Sequence, residues 1–129
     1  MGPHIVSAFD DDLIAVQAKI SEMGGLAEEL LRNALEAVQN RDAELAMKVR
    51  QRDKDLDALE LELETMATRV IALRQPMAQD LRVLISALKI ASTLERIGDL
   101  AKNIARRAAY LAQARPVKIS HSIVNMGQA

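Results

Sequence analysis

Residues 74–80 read "RQPMAQD". Pro76 has no amide hydrogen and biases Gln75 away from the right-handed helical region, and proline is favoured as a first helical residue. The stretch predicts that one helix stops near Arg74 and that another starts beside Pro76. Both flanks have helical period. Upstream, Leu45, Val49, Arg52, Leu56, Leu59, Leu63, Met66, Val70 and Leu73 recur at steps of three and four, with Arg52 the one polar member. Downstream, Val83, Ala87, Ile90, Leu94, Ile97, Ala101, Ile104, Ala108 and Leu111 do the same until "ARP", which ends at Pro116. Long amphipathic helices joined by so short a break pack antiparallel.

A second break, "QNRD" at residues 39–42, sets off a helix before these two. Its stripe is Leu13, Val16, Ile20, Met23, Ala27, Leu30, Ala34 and Ala37. Asp10, Asp11 and Asp12 precede it, and carboxylates suit an N-cap and the positive end of the helix dipole. Gly24-Gly25 interrupts the pattern at a cost of up to about 2 kcal/mol, which predicts a bend or very close packing with a neighbour. The fold class is therefore all-α: an antiparallel up-down-up three-helix bundle over residues 8–113, with helices of about 28 to 36 residues, roughly 42 to 54 Å long. In residues 114–129, Ile119, Ile123 and Met126 fall at helical spacing and then stop. That segment is expected to be a linker and the cut start of a fourth helix.

Composition narrows the function classes. Half of the 129 residues are hydrophobic, which allows a real core, while Phe9 and Tyr110 are the only aromatics. Seventeen basic against 18 acidic residues leave a net charge of −1, so neither a basic footprint nor stacking rings point to nucleic acid. The absence of cysteine removes disulfides and thiolate metal sites and fits a cytosolic protein. No apolar run is long enough to span a membrane, and the N-terminus lacks the basic and apolar regions of a signal peptide. Catalytic signals are weak. His4 and His121 are the only histidines, so a di-iron Glu-x-x-His arrangement cannot form on the bundle helices. Ser86, Ser92 and Thr93 have no nearby histidine base.

The chemistry sits in two polar rows. In "TLERIGDLAKNIARRA", residues 93–108, Glu95, Asp99 and Asn103 follow one another at steps of four. At 100° per residue they lie roughly opposite the stripe Val83 to Leu111. On the preceding helix, Asp53, Asp57, Glu60 and Glu64 form a matching row beside the apolar stripe. Asp57 and Glu95 are nearly equidistant from Pro76, so antiparallel pairing brings the rows to one level. Like charges at that spacing repel, and converging carboxylates need cations or protons. An oxygen-rich set without thiols suits Mg, Ca, Mn or iron. The ordinary alternative stays open: a solvated acidic face paired with Arg69, Arg96, Lys102 or Arg106.

The segments "EMGGLAEELLRNALEAV", "RDKDLDALELELE", "RVIALRQPMAQDLR" and "TLERIGDLAKNIARRA" cover about residues 9–112 in one order. Together they resemble the PhoU family of bacterial phosphate-transport regulators. The resemblance implies one three-helix repeat of the usual two and an adaptor rather than an enzyme. It implies negative regulation of phosphate uptake and of phosphate-starvation signalling. The implied partners are the phosphate ABC transporter ATPase and a sensor histidine kinase, with a cytoplasmic protein that meets the membrane only through them. Carried over, the family's carboxylate motifs fall on Asp53, Asp57 and Glu60 and on Glu95, Asp99 and Asn103. These are the expected ligands of a multinuclear, carboxylate-bound divalent metal or iron. Arg74, Asp80 and Arg82 match the turn signature and read as structural. The apolar face that would meet a second repeat implies a homo-oligomer.

Overall fold

The turn residues divide the chain as their chemistry dictates. In a computed structural model that describes residues 3–114, three helices are found among the described residues: α1 (Pro3–Asn40), α2 (Ala43–Arg74) and α3 (Ala78–Ala114). At the first turn Arg41 takes a left-handed φ of 52°, and the Asp42 amide donates back to the Ala37 carbonyl at 2.9 Å. Asp42 then caps α2, its Oδ1 accepting from the Leu45 amide at 3.0 Å. At the second turn Gln75 leaves the right-handed region for φ 45°, and its amide donates to the Ile71 carbonyl at 3.1 Å. Pro76 is not the first helical residue, contrary to expectation. α3 begins at Ala78, with the Leu81 amide donating to the Met77 carbonyl at 2.8 Å and Asp80 in its positive first turn.

The helices run up, down and up, and each packs on the other two. In α1 the buried line Val16, Met23, Ala27, Leu30, Ala34 and Ala37 follows the expected stripe. Two features of α1 differ from expectation. The helix runs unbroken through Asp10–Asp12, which are therefore interior residues and not a cap. It also runs unbroken through Gly24-Gly25, and a Cβ at either glycine would meet nothing within 4 Å; no neighbour requires them.

α2 and α3 turn most of their expected stripes to the core: Val49, Leu56, Leu63, Val70, Ala87, Ala101 and Ala108 are buried, and Leu45, Leu59, Met66, Leu94, Ile97 and Ile104 pack against them partly buried. The buried positions of α2 are Ala46, Val49, Asp53, Leu56, Leu63, Ala67 and Val70. Arg52 instead faces out, 3.3 Å from Glu29 and 3.7 Å from Asp55, and Leu73 is exposed. On α3 the core takes Leu84, Ala87, Ala91, Gly98, Ala101, Ala105 and Ala108, while Val83, Ile90 and Leu111 are exposed. On α3 the small residues Ala91, Gly98 and Ala105 recur every seven residues. Small residues let backbones approach closely, and they share the core with Leu56, Leu63 and Leu84, each 0% exposed.

Arg74 fastens the turn end of the bundle. Its Nε lies 3.0 Å from Asp12 Oδ2, both side chains about one-third exposed or less. The structural reading of Arg74 and Asp80 agrees with these positions. The expected fourth-helix start at 114–129 and His121 lie outside the described residues, apart from Ala114, the last residue of α3.

Candidate functional site

The acidic rows lie along the α2–α3 seam, with Asp53 buried, Glu60 and Glu95 half-buried, and Asp57 and Asp99 exposed. Asp53 occupies a core position and is 2% exposed, the one buried charged residue among those described. It fits there because α3 offers Gly98. A Cβ on Gly98 would overlap Leu56 Cδ2 and come to 3.1 Å from Asp53 Oδ1. A helix-interior glycine costs about 1 kcal/mol relative to alanine, and here the close approach of a carboxylate and a leucine explains it.

Around Asp53 the remaining carboxylates gather at one level. Glu95 faces Asp57, with Glu60 and Asp99 also acting on it. Burial first, then Asp57, then Glu60 and Asp99 push its carboxyl up from 4.5 to about 8. At neutral pH Glu95 therefore holds a proton, and it can then donate to Asp57. Two ionised carboxylates could only repel there. Burial and then Asp57 also raise Asp53, with Asp99 adding to this and Lys102 opposing it. Burial, Glu64, Asp57 and Asp99 raise Glu60. Asp53 Oδ1 and Glu95 Oε2 are buried without a hydrogen-bond partner among the described residues.

Five of the six expected ligands, Asp53, Asp57, Glu60, Glu95 and Asp99, are thus brought into one neighbourhood. Asn103 is exposed, a turn beyond them. Among the described residues no three such side chains stand as a formed metal cage; the carboxylates converge without closing on one point. Of the four cations considered as ordinary partners, Lys102 alone pairs with the rows, at 3.7 Å from Asp53 Oδ2. Sequence reasoning missed Gly98, although it had placed Leu56 in the apolar stripe of α2. The available signal was a glycine inside "ERIGD" with no turn to serve.

Residues 20–108 match the PhoU domain family. The chain belongs to that family. This PhoU-domain chain is 51% identical over 108 residues to the phosphate-specific transport system accessory protein PhoU homolog of Zymomonas mobilis, covering 84% of this chain and 46% of that protein. It is 44% identical over 129 residues to the homolog of the same description in Caulobacter vibrioides, covering 99% of this chain and 56% of that protein. The crystal structure of PhoU from Pseudomonas aeruginosa superposes with a TM-score of 0.80 at 39% identity, covering 82% of this chain and 51% of that one. The PhoU-domain chain spans about half the length of the curated relatives it matches.

Proposed function

We propose that this chain acts as a negative regulator of phosphate uptake and of phosphate-starvation signalling. It would be an adaptor and not an enzyme, linking the phosphate ABC transporter ATPase to a sensor histidine kinase on the cytoplasmic side. The relatives' description as accessory proteins of phosphate-specific transport supports this. Among the described residues no helix is long and apolar enough to cross a membrane, which agrees with attachment through partners.

The adaptor carries a cation-binding surface at the α2–α3 seam. The observation behind this is a pair of buried carboxylate oxygens, on Asp53 and Glu95, with nothing to accept from, set among three further carboxylates. Unmet acceptors and mutual repulsion are what a hard or borderline cation relieves. Asp57, Glu60, Glu95 and Asp99 would hold it, with Asp53 behind them and Asn103 at the rim. A bound divalent or ferric ion would supply neutralising charge and coordination positions open to a partner's oxygen ligands. Metal analysis of the purified protein tests this. Glu95→Ala with Asp99→Ala should abolish bound ion, whereas no ion in the unmutated protein under several metal conditions removes the proposal. For the adaptor role, the phosphate transporter ATPase and the kinase should co-purify with the chain from phosphate-replete cells; recovery of neither counts against it.

A second reading, a bundle that works by assembling with other helices, is favoured by one specific feature. Val83, Ile90 and Leu111 of α3 are 41%, 49% and 51% exposed, aliphatic side chains left largely open to solvent.

A further inference from the structure

Lys102 stands outside both acidic rows, yet its ammonium reaches the most buried member of either. Its Nζ lies 3.7 Å from Asp53 Oδ2, the lysine side chain 39% exposed and the aspartate 2%. Among the described residues it is the one cation within ion-pair distance of Asp53, Asp57, Glu60, Glu95 or Asp99. It is a single positive charge on five carboxylates, and Asp53 Oδ1 remains unpartnered beside it. The other side of Lys102 borders a different environment. With Arg50, Lys54, Met47 and Gln51 it lines an open groove of about 450 Å³.

These positions make Lys102 a tethered substitute for an ion. Resting on the cation-binding reading of the seam, we infer that Lys102 is the seam's built-in counter-cation. It neutralises Asp53 while no ion is bound, and is displaced outward, toward Arg50 and Lys54, when a divalent cation enters. A divalent ion and an ammonium in the same small volume repel each other. Lys102 is the movable one of the two, because its flexible stem starts at the rim and its charge hydrates readily. Occupancy of the seam then changes the outer surface as well. The groove gains a third free cation when the seam is loaded, so ion binding is read out as positive charge on the α2–α3 face.

The test compares wild type with Lys102→Met, alone and with Asp53→Asn, using Mn²⁺ as the probe in calorimetry and thermal unfolding. In chelator, Lys102→Met should lower the unfolding midpoint by a few degrees, and that loss should vanish in the Asp53→Asn background. With Mn²⁺, Lys102→Met should bind roughly tenfold tighter than wild type, the Coulomb relief of removing one charge near a divalent ion in a partly wet site, and its midpoint deficit should close. Equal or weaker Mn²⁺ binding by Lys102→Met overturns the displacement. A midpoint loss that persists unchanged with Asp53→Asn overturns the pairing. If neither protein binds Mn²⁺, Mg²⁺ or Fe²⁺, the cation reading of the seam falls and takes the displacement with it, while the Asp53→Asn comparison still decides the pairing.

Discussion

Gly98→Ala tests whether the α2–α3 seam is as close as described. In a helix exposed to solvent the substitution would stabilise by about 1 kcal/mol, because alanine loses less backbone entropy on folding. At position 98 the new methyl would overlap Leu56 Cδ2 and stand 3.1 Å from Asp53 Oδ1. Leu56 is 0% exposed, so it has no free volume to turn into. Overfilling a packed core costs about 1–3 kcal/mol. The net expectation is a loss of about 1 kcal/mol. Gly24→Ala is the internal control, since its methyl meets nothing within 4 Å and should stabilise by about 0.5–1 kcal/mol. The same chemical change in the same kind of helix thus has opposite signs, separated by about 2 kcal/mol. Denaturant unfolding of both variants in chelator measures this. Leu56→Ala by itself should cost about 2–5 kcal/mol and should cost less beside Gly98→Ala, whose methyl partly fills the space. A Gly98→Ala protein as stabilised as Gly24→Ala would refute the close approach, and with it the explanation of how Asp53 is buried.

Two further outcomes follow from the same geometry. Glu95 titrates near 8 in the folded chain against 4.5 ordinarily, so between those values the folded state keeps a proton that the unfolded state releases. Stability is therefore highest below about pH 4.5 and falls until about pH 8 on this account; in chelator Glu95→Gln should match wild type near pH 4 and exceed it near pH 8, and a deficit near pH 8 that shrinks toward pH 4 would show instead that the carboxyl is ionised and stabilising in the fold. Self-association through the outward row of α3 should appear in sedimentation at high concentration and weaken with Ile90→Glu, whose side chain is 49% exposed; a wild type that stays monomeric throughout would rule that row out as a contact between copies.

Much of the fold was legible because it depends on local chemistry. Pro76 and the Gln75 it constrains, the break at "QNRD", and a three-four apolar step are readable from neighbours in the chain alone. They delimit three long helices and, through the shortness of the turns, their antiparallel order. The level of the acidic rows was also legible, since Asp57 and Glu95 lie almost equally far from the turn at Pro76.

The fine rotation of α2 and α3 about their own axes was not legible, although most of each expected stripe faces the core. α2 and α3 each carry apolar residues over more than one face, and two stripes of equal period compete. Hydropathy alone favours the rows with Leu, Ile and Val. Contact between backbones favours the positions of Ala46, Ala67, Ala91, Gly98 and Ala105, and the folded bundle buries these together with Val49, Leu56, Leu63, Val70 and Leu84. That choice buries Asp53 in place of Arg52, sets Glu95 against Asp57, and turns Val83 and Ile90 to the surface. The amino-acid sequence by itself determined the helices, the two breaks between them and their order, because those follow from propensity and turn chemistry within a few residues; the starts of α1 at Pro3 and of α3 at Ala78 were not among them. Only tertiary packing decided which faces meet, and therefore that the carboxylates share a half-buried seam. That outcome depends on how closely two backbones can approach, which is a property of side chains from separate helices and is set by neither helix alone.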